Sequence, residues 1–192
     1  MAESPPRNEF LRTRRLVLRG LQPGDVFDLQ RLGRDTRVSQ ALLDAPVDDI
    51  ASACALIEAA QRIGREKPGL GFWRTDDADG FVGFFSLVAE LPGSEVEIGT
   101  RLLPRAWGRG YALEGGAALC AHAFDTLRLP ALVGLCDPEN RSVPPLLARL
   151  GFSPDGRTEQ FGKPALRMRL RREDWRGVRR RGAQSPAAGA GT

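Results

Sequence analysis

The segment Glu97-Ile98-Gly99-Thr100-Arg101-Leu102-Leu103-Pro104-Arg105-Ala106-Trp107-Gly108-Arg109-Gly110-Tyr111-Ala112-Leu113-Glu114 constrains this chain more than any other. Val96, Ile98 and Leu102 follow much of a period-two apolar pattern, which predicts a strand over 95–103 with Glu97 on its opposite face. Gly108 and Gly110 then remove side chains where the backbone turns into a helix predicted over 110–127. The first N–H groups of a helix have no partner within it, and the peptide dipoles make that end positive. A bare-backbone loop at this place is therefore an anion site, above all for phosphate. Arg105 and Arg109 add positive charge around it.

Three phosphate loops compete for the segment. A P-loop closes on Gly-Lys-Ser or Gly-Lys-Thr, but Tyr111 follows Gly110. A dinucleotide fingerprint needs a third glycine where Leu113 stands. Arg105, Gly108 and Gly110 match the third pattern, Arg/Gln-x-x-Gly-x-Gly/Ala, in full; it is the coenzyme A loop of the GNAT acyltransferases. A glycine helix start is structural about as often as functional, so the surroundings decide. Leu11-Arg12-Thr13-Arg14-Arg15-Leu16-Val17-Leu18-Arg19, Gly80-Phe81-Val82-Gly83-Phe84-Phe85-Ser86-Leu87, Trp107-Gly108-Arg109-Gly110-Tyr111-Ala112-x-Glu114, Ala123-Phe124, Pro138-Glu139-Asn140 and Leu150-Gly151-Phe152 follow in order. Together they resemble a GNAT-superfamily N-acetyltransferase of the ribosomal-protein (Rim-type) subgroup, from about Leu11 to about Arg171.

That resemblance implies acetyl-CoA as cofactor and an amine as acceptor. It implies that backbone amides from Arg105 through Ala106, Trp107, Gly108 and Arg109 to Gly110 hold the pyrophosphate. The backbone of Leu102 and Leu103 is expected to pair with the pantetheine arm like an added strand. Asn140 resembles the family asparagine on that arm; its structural alternative is a turn or helix cap. Trp107 and Tyr111 either pack the loop against the sheet or touch the cofactor. Glu97 resembles the glutamate that takes the amine proton, often through water. The bland alternative is a solvent-facing strand glutamate, as Glu95 is, and alternation places both on one face.

Relatives carry a hydroxyl three residues after the asparagine, or a tyrosine further on, to protonate the departing thiolate. Here Val143 occupies that position, no tyrosine lies in 130–192, and Ser142 is one residue early. With Ser142 as the cap, Pro144 and Pro145 both fall among the naturally unpaired donors, so Ser142 reads as a cap before it reads as an acid. Glu114, in the first helical turn, complements the dipole. Acceptor choice is assigned, by analogy, to 35–46 and 156–164.

The remaining elements complete a mixed α/β order, β-α-α-β-β-β-α-β-α-β-β, with one central, mostly antiparallel sheet flanked by helices. It has a strand over 14–19, helices over 23–32 and 46–66, strands over 70–74, 81–89 and 131–136, a helix over 142–150, and strands over 157–161 and 165–171. Asp76, Asp77 and Asp79 read as hairpin chemistry rather than a metal site. Lone His122, mid-helix among apolar neighbours, reads as structural. Cys54, Cys120 and Cys136 have no metal spacing.

The domain is expected over 11–171, after a flexible lead of 1–10 and before a basic, disordered tail of 172–192. That tail has five arginines against Glu173 and Asp174, which is +3 of the net +4. The folded body is near neutral, which argues against nucleic acid. No apolar run approaches the roughly 20 residues of a membrane span, and no signal-peptide layout is seen, so the expected location is the cytoplasm. A monomer and a homodimer both remain open. Two alternatives to catalysis stand beside the enzyme: an acyl-CoA-binding module without turnover, and a nucleic-acid-associated protein acting through the arginine tail.

Overall fold

The computed structural model describes residues 9–40, 42–89 and 95–177. Its strands are β1 (Glu9–Arg12), β2 (Val17–Gly20), β3 (Gly71–Asp77), β4 (Gly80–Ala89), β5 (Val96–Leu102), β6 (Ala131–Cys136), β7 (Ser153–Gln160) and β8 (Lys163–Arg171). Its helices are α1 (Val26–Arg34), α2 (Thr36–Ser39), α3 (Ile50–Glu66), α4 (Tyr111–Ala121) and α5 (Val143–Leu150). The strands form one sheet in the order β1-β2-β3-β4-β5-β6-β8-β7. Every neighbouring pair is antiparallel except β5 with β6.

A near-continuous apolar run makes β4 the sheet's centre, because only a strand covered on both faces can bury it. Phe84 packs with Leu29, Leu32, Ala53 and Ile57 beneath α1 and α3. Phe85 packs on the other face with Leu119, Phe124 and Leu147, beneath α4 and α5. Helix α4 sits close because Gly115 has no side chain; a Cβ there would lie 2.3 Å from the Phe85 ring. A buried charge cluster fixes α1 to the sheet. Asp25, 3 % exposed, accepts from Arg19 at 2.7 and 2.9 Å and from Arg74 at 3.0 Å. Arg74 also donates to Asp28 and Asp76.

The structure departs from the sequence expectations at element edges. The expected first strand is a hairpin, β1 and β2, closed where the Thr13 N–H donates to Leu16 at 2.9 Å. Glu9 and Phe10, assigned to the flexible lead, belong to β1, and Phe10 stacks on Trp73 with ring centroids 4.2 Å apart. Helix α3 starts at Ile50, because Asp49 caps it through Ser52 and the Val47 backbone is laid against Gly33 of α1. The π-helical turn His122–Thr126 ends the helix predicted over 110–127. Strand β7 begins four residues early; a register shift between Pro154 and Arg157 and its exposed face erase the alternation that would reveal it. At the other end, Arg172–Asp174 forms a 3₁₀ turn and Trp175 packs on Phe124 at 5.9 Å, so the expected tail starts inside the fold. Residues 1–8 and 178–192, the rest of the expected lead and tail, lie outside the described residues.

Candidate active site

Strands β5 and β6 pair only at Val96–Leu132 and Glu97–Val133, then diverge while β5 runs on to Leu102 and β6 to Cys136. Their carboxyl ends therefore open a crevice, the place where α/β sheets take ligands. One lip is the 103–110 loop leading into α4, the other is 137–142 leading into α5. Leu102 and Leu103 divide at the first lip. The Leu103 N–H donates to Val82 at 2.8 Å, toward β4. The Leu102 side chain is buried in the core, while its carbonyl accepts from the Trp107 indole Nε1 at 2.8 Å.

Gly108 and Gly110 have φ of +70° and +77°, the left-handed region that glycine enters without a steric cost. A Cβ on Gly108 would meet nothing within 4 Å, so the requirement there is conformational and not a matter of packing. After the Trp107 N–H, which donates to Pro104, the next amide to donate to a backbone carbonyl is that of Glu114, on Gly110. Among the described residues, the amides of Gly108 through Leu113 thus carry no backbone hydrogen bond. They form an open run at the N-terminus of α4 that fits a pyrophosphate.

Side chains around the loop hold that run in shape. The Tyr111 ring, 3 % exposed, is covered by the guanidinium groups of Arg15 (4.6 Å) and Arg109 (4.9 Å). Arg15 donates to the Arg109 carbonyl at 2.9 Å. Glu114 accepts from the Thr13 hydroxyl at 2.7 Å, from the Arg15 N–H at 2.9 Å and from Arg15 Nε at 2.7 Å. Burial pulls the Glu114 carboxyl upward, but the Thr13 and Arg15 donors outweigh it and hold it below the ordinary range. Glu114 therefore ties the loop to the β1–β2 hairpin as well as complementing the dipole. Arg105 donates to the carbonyls of Gly80 and Phe81 at 2.9 and 2.8 Å and to the Asp77 carboxylate. Ala106 is buried beneath the loop and Trp107 is largely exposed.

On the second lip, Asn140 Oδ1 accepts from the Ser142 N–H at 3.1 Å, and the Asn140 N–H donates to Asp137 at 2.9 Å. Ser142 is the cap position of α5, with Pro144 and Pro145 among its unpaired donors, yet its hydroxyl makes no capping bond. Ser142 therefore holds the cap position expected of it without a capping bond from its hydroxyl, and Asn140 makes a turn onto the Ser142 amide.

Glu97 pairs with Val88 and Val133, on the face of β5 opposite the buried Val96 and Ile98. Glu95, indistinguishable from it in the sequence, is bound by both Arg167 and Arg169 of β8. Further along the Glu97 face, Arg101 pairs with Asp44 from the loop before α3. That loop and the tip of the β7–β8 hairpin meet, with Lys163 Nζ donating to the Leu42 carbonyl at 3.2 Å. Between them lies a depression of about 620 Å³ lined by Leu43, Asp44, Ala45, Pro46, Phe161 and Lys163. His122 bonds the Gly69 carbonyl at 3.0 Å and meets the Phe10 ring edge-on, so it is structural. No group of three or more metal-ligating side chains occurs among the described residues. No helix among them is long and apolar enough to cross a membrane.

Residues 15–153 match the family model described as an acetyltransferase (GNAT) domain. The chain is 28% identical over 164 residues to the "Uncharacterized N-acetyltransferase p20" of Bacillus licheniformis, covering 83% of this chain and 91% of that one. It is similar in structure to an acetyltransferase from Agrobacterium tumefaciens str. C58, with a TM-score of 0.73, 27% identity, and 88% and 96% of the two chains covered. The fold is shared with RimL, a ribosomal L7/L12 alpha-N-protein acetyltransferase solved with coenzyme A, at a TM-score of 0.72 and 19% identity over 83% and 95% of the two chains. With a GNAT sheet, a splayed β5–β6 pair and a matching loop, the chain belongs to the GNAT acetyltransferase family, N-acetyltransferases that use acetyl-CoA.

Proposed function

We propose that this N-acetyltransferase acts on the α-amine at a protein N-terminus, with the 105–110 loop holding the pyrophosphate and Glu97 as general base. The observation that carries the cofactor half is the run of unengaged amides from Gly108 to Leu113 at the mouth of the β5–β6 crevice. Bound there, acetyl-CoA supplies an activated acyl group, and direct transfer asks little of the protein beyond proximity and proton handling. Glu97 takes the amine proton, directly or through water. Its claim rests on its place before Ile98-Gly99, on the strand that leads into the loop and on the face opposite the buried Val96 and Ile98. The Ser142 hydroxyl, outside any capping bond at the second lip, holds a proton for the thiol side; water is its alternative.

The acceptor half is supported by the depression between the α2–α3 loop and the β7–β8 hairpin. Leu43, Ala45, Pro46 and Phe161 make its walls largely apolar. The nearby carboxylates of Asp44, Glu95 and Asp155 each face an arginine. A polyamine would have to break those ion pairs, whereas a peptide α-amine beside an apolar side chain would not. The Rim-type subgroup and the 11–171 domain limits belong to the same reading, with the domain widened here to Glu9–Trp175.

The test is calorimetric titration with acetyl-CoA, followed by thiol release in the presence of amines. Saturable binding that Gly108→Asp abolishes, by setting a carboxylate against the phosphates, is the expected result. Unchanged affinity in Gly108→Asp removes the loop assignment. Binding without thiol release from any amine favours the second reading, an acyl-CoA-binding module, which Val143 and the absence of tyrosine from 130–192 support.

A further inference from the structure

Asp77 is the last residue of β3, in the acidic hairpin that reads from sequence as turn chemistry. Its side chain is 3 % exposed. A carboxylate leaves water only where donors replace it, because an unpaired buried charge is costly. Here the donors converge from the cofactor loop. Arg105 Nη1 and Nη2 donate at 3.1 Å each, and Arg109 Nη1 stands 3.5 Å away; Tyr111 adds to what holds the carboxyl ionised. One further donor, the Asp79 N–H at 3.0 Å, is local to the turn. Arg105 spends its remaining hydrogen bonds on the Gly80 and Phe81 carbonyls, so its guanidinium is directed at the hairpin.

We propose that Asp77 is a positioning residue for acetyl-CoA binding, clamping Arg105, Arg109 and Tyr111 so that the amides from Gly108 to Leu113 stay preformed. The clamp joins three consecutive parts of the loop to one fixed point on β3. Arg105 stands before the first glycine, Arg109 between the two glycines, and Tyr111 opens α4. Without it the two positive-φ glycines would leave the loop free to sample many shapes, and binding would have to order it. The clamp also offsets the charge of the arginines, so phosphate recognition rests on backbone N–H groups. Burial pulls the Asp77 carboxyl upward, while Arg105, the Asp79 amide and Tyr111 outweigh it and keep it ionised.

This inference rests on the loop being the coenzyme site, so Gly108→Asp is measured beside it. Acetyl-CoA affinity is determined by calorimetry at low and high salt for the full chain, Asp77→Asn, Tyr111→Phe and Gly108→Asp, each with a melting curve. Asp77→Asn is expected to weaken acetyl-CoA about tenfold at low salt, the scale of one charge-assisted hydrogen bond. Its salt dependence is expected to steepen, because the released arginines turn to the phosphates and that attraction is screened. A merely structural role would leave the salt dependence as it was. Tyr111→Phe, which removes the hydroxyl that acts on Asp77 and keeps the ring against both guanidinium groups, is expected to weaken binding about threefold. If Asp77→Asn binds within twofold of the parent with the same salt dependence while Gly108→Asp does not bind, the clamp is wrong and the loop stands. If Gly108→Asp binds normally, the loop assignment itself falls. If Asp77→Asn melts below the assay temperature, Tyr111→Phe decides, and unchanged affinity in that variant overturns the inference.

Discussion

Asp25 and Glu97 are both acidic residues close to arginines in the sequence, one holding the fold together and the other proposed as the base. Burial raises the Asp25 carboxyl, yet hydrogen bonds from Arg19 and the Gln22 amide, with the Arg19 and Arg74 charges, bring it below its ordinary value. A carboxyl lowered on folding contributes stability above its unfolded pKa, near 3.9, and loses it as pH falls through the folded value. Asp25→Asn is therefore expected to cost about 3 kcal/mol at pH 7, because it leaves buried arginine charge uncompensated. Urea unfolding of parent and variant at pH 7 and pH 3 should show the difference shrinking at the lower pH. Glu97→Gln is expected to leave the fold unchanged, cut turnover about 100-fold and barely move acetyl-CoA affinity. Steady-state rates against pH check this, with the loss greatest where the amine is most protonated; an unaltered profile places the base elsewhere.

Helix α4 shows how one element carries both core and site. Its N-terminus presents the open amides, while its middle reaches the sheet through Gly115 against Phe85. Alanine in place of a solvent-facing helical glycine normally stabilises by up to about 1 kcal/mol. Gly115→Ala is expected to do the reverse and cost about 1–3 kcal/mol, since the Phe85 ring has no room to retreat. Denaturant titration reads the sign directly. The C-terminal 3₁₀ turn makes a second test at this scale. Trp175 sits partly buried on Phe124, so ending the chain after Arg171 instead of Gly177 should lower stability by about 1–2 kcal/mol through lost apolar burial. Equal melting temperatures for the two lengths would return the boundary to 171.

At the scale of the molecule, the two lips of the crevice and the depression proposed for the acceptor come from segments far apart in the chain, and charge pairing around that depression is expected to govern what enters. An apolar-first peptide α-amine is expected to be acetylated at least about tenfold faster than spermidine at equal concentration, since the polyamine must break surface-type ion pairs to bind. The reverse order would show that those pairs yield readily and that the depression accepts polycations. Much of this architecture is legible in the residues themselves. Period-two apolar strands, glycines at a helix start and a near-continuous apolar β4 are local signals, written within a few residues of where they act. The loop proposed for the pyrophosphate is marked by Arg105, Gly108 and Gly110 for that reason. What the local pattern does not contain is partnership. Asp77 looks like a turn residue until Arg105 and Arg109 arrive from across the sheet, and Glu95 looks like a solvent-facing strand glutamate until β8 brings Arg167 and Arg169. Ser142 takes the cap position the sequence suggests, but whether its hydroxyl makes the capping bond is decided only in the fold, where it does not. Backbone conformation follows from neighbours in sequence, whereas the state and role of a buried or paired charge follow from neighbours in space, and only the tertiary structure supplies those.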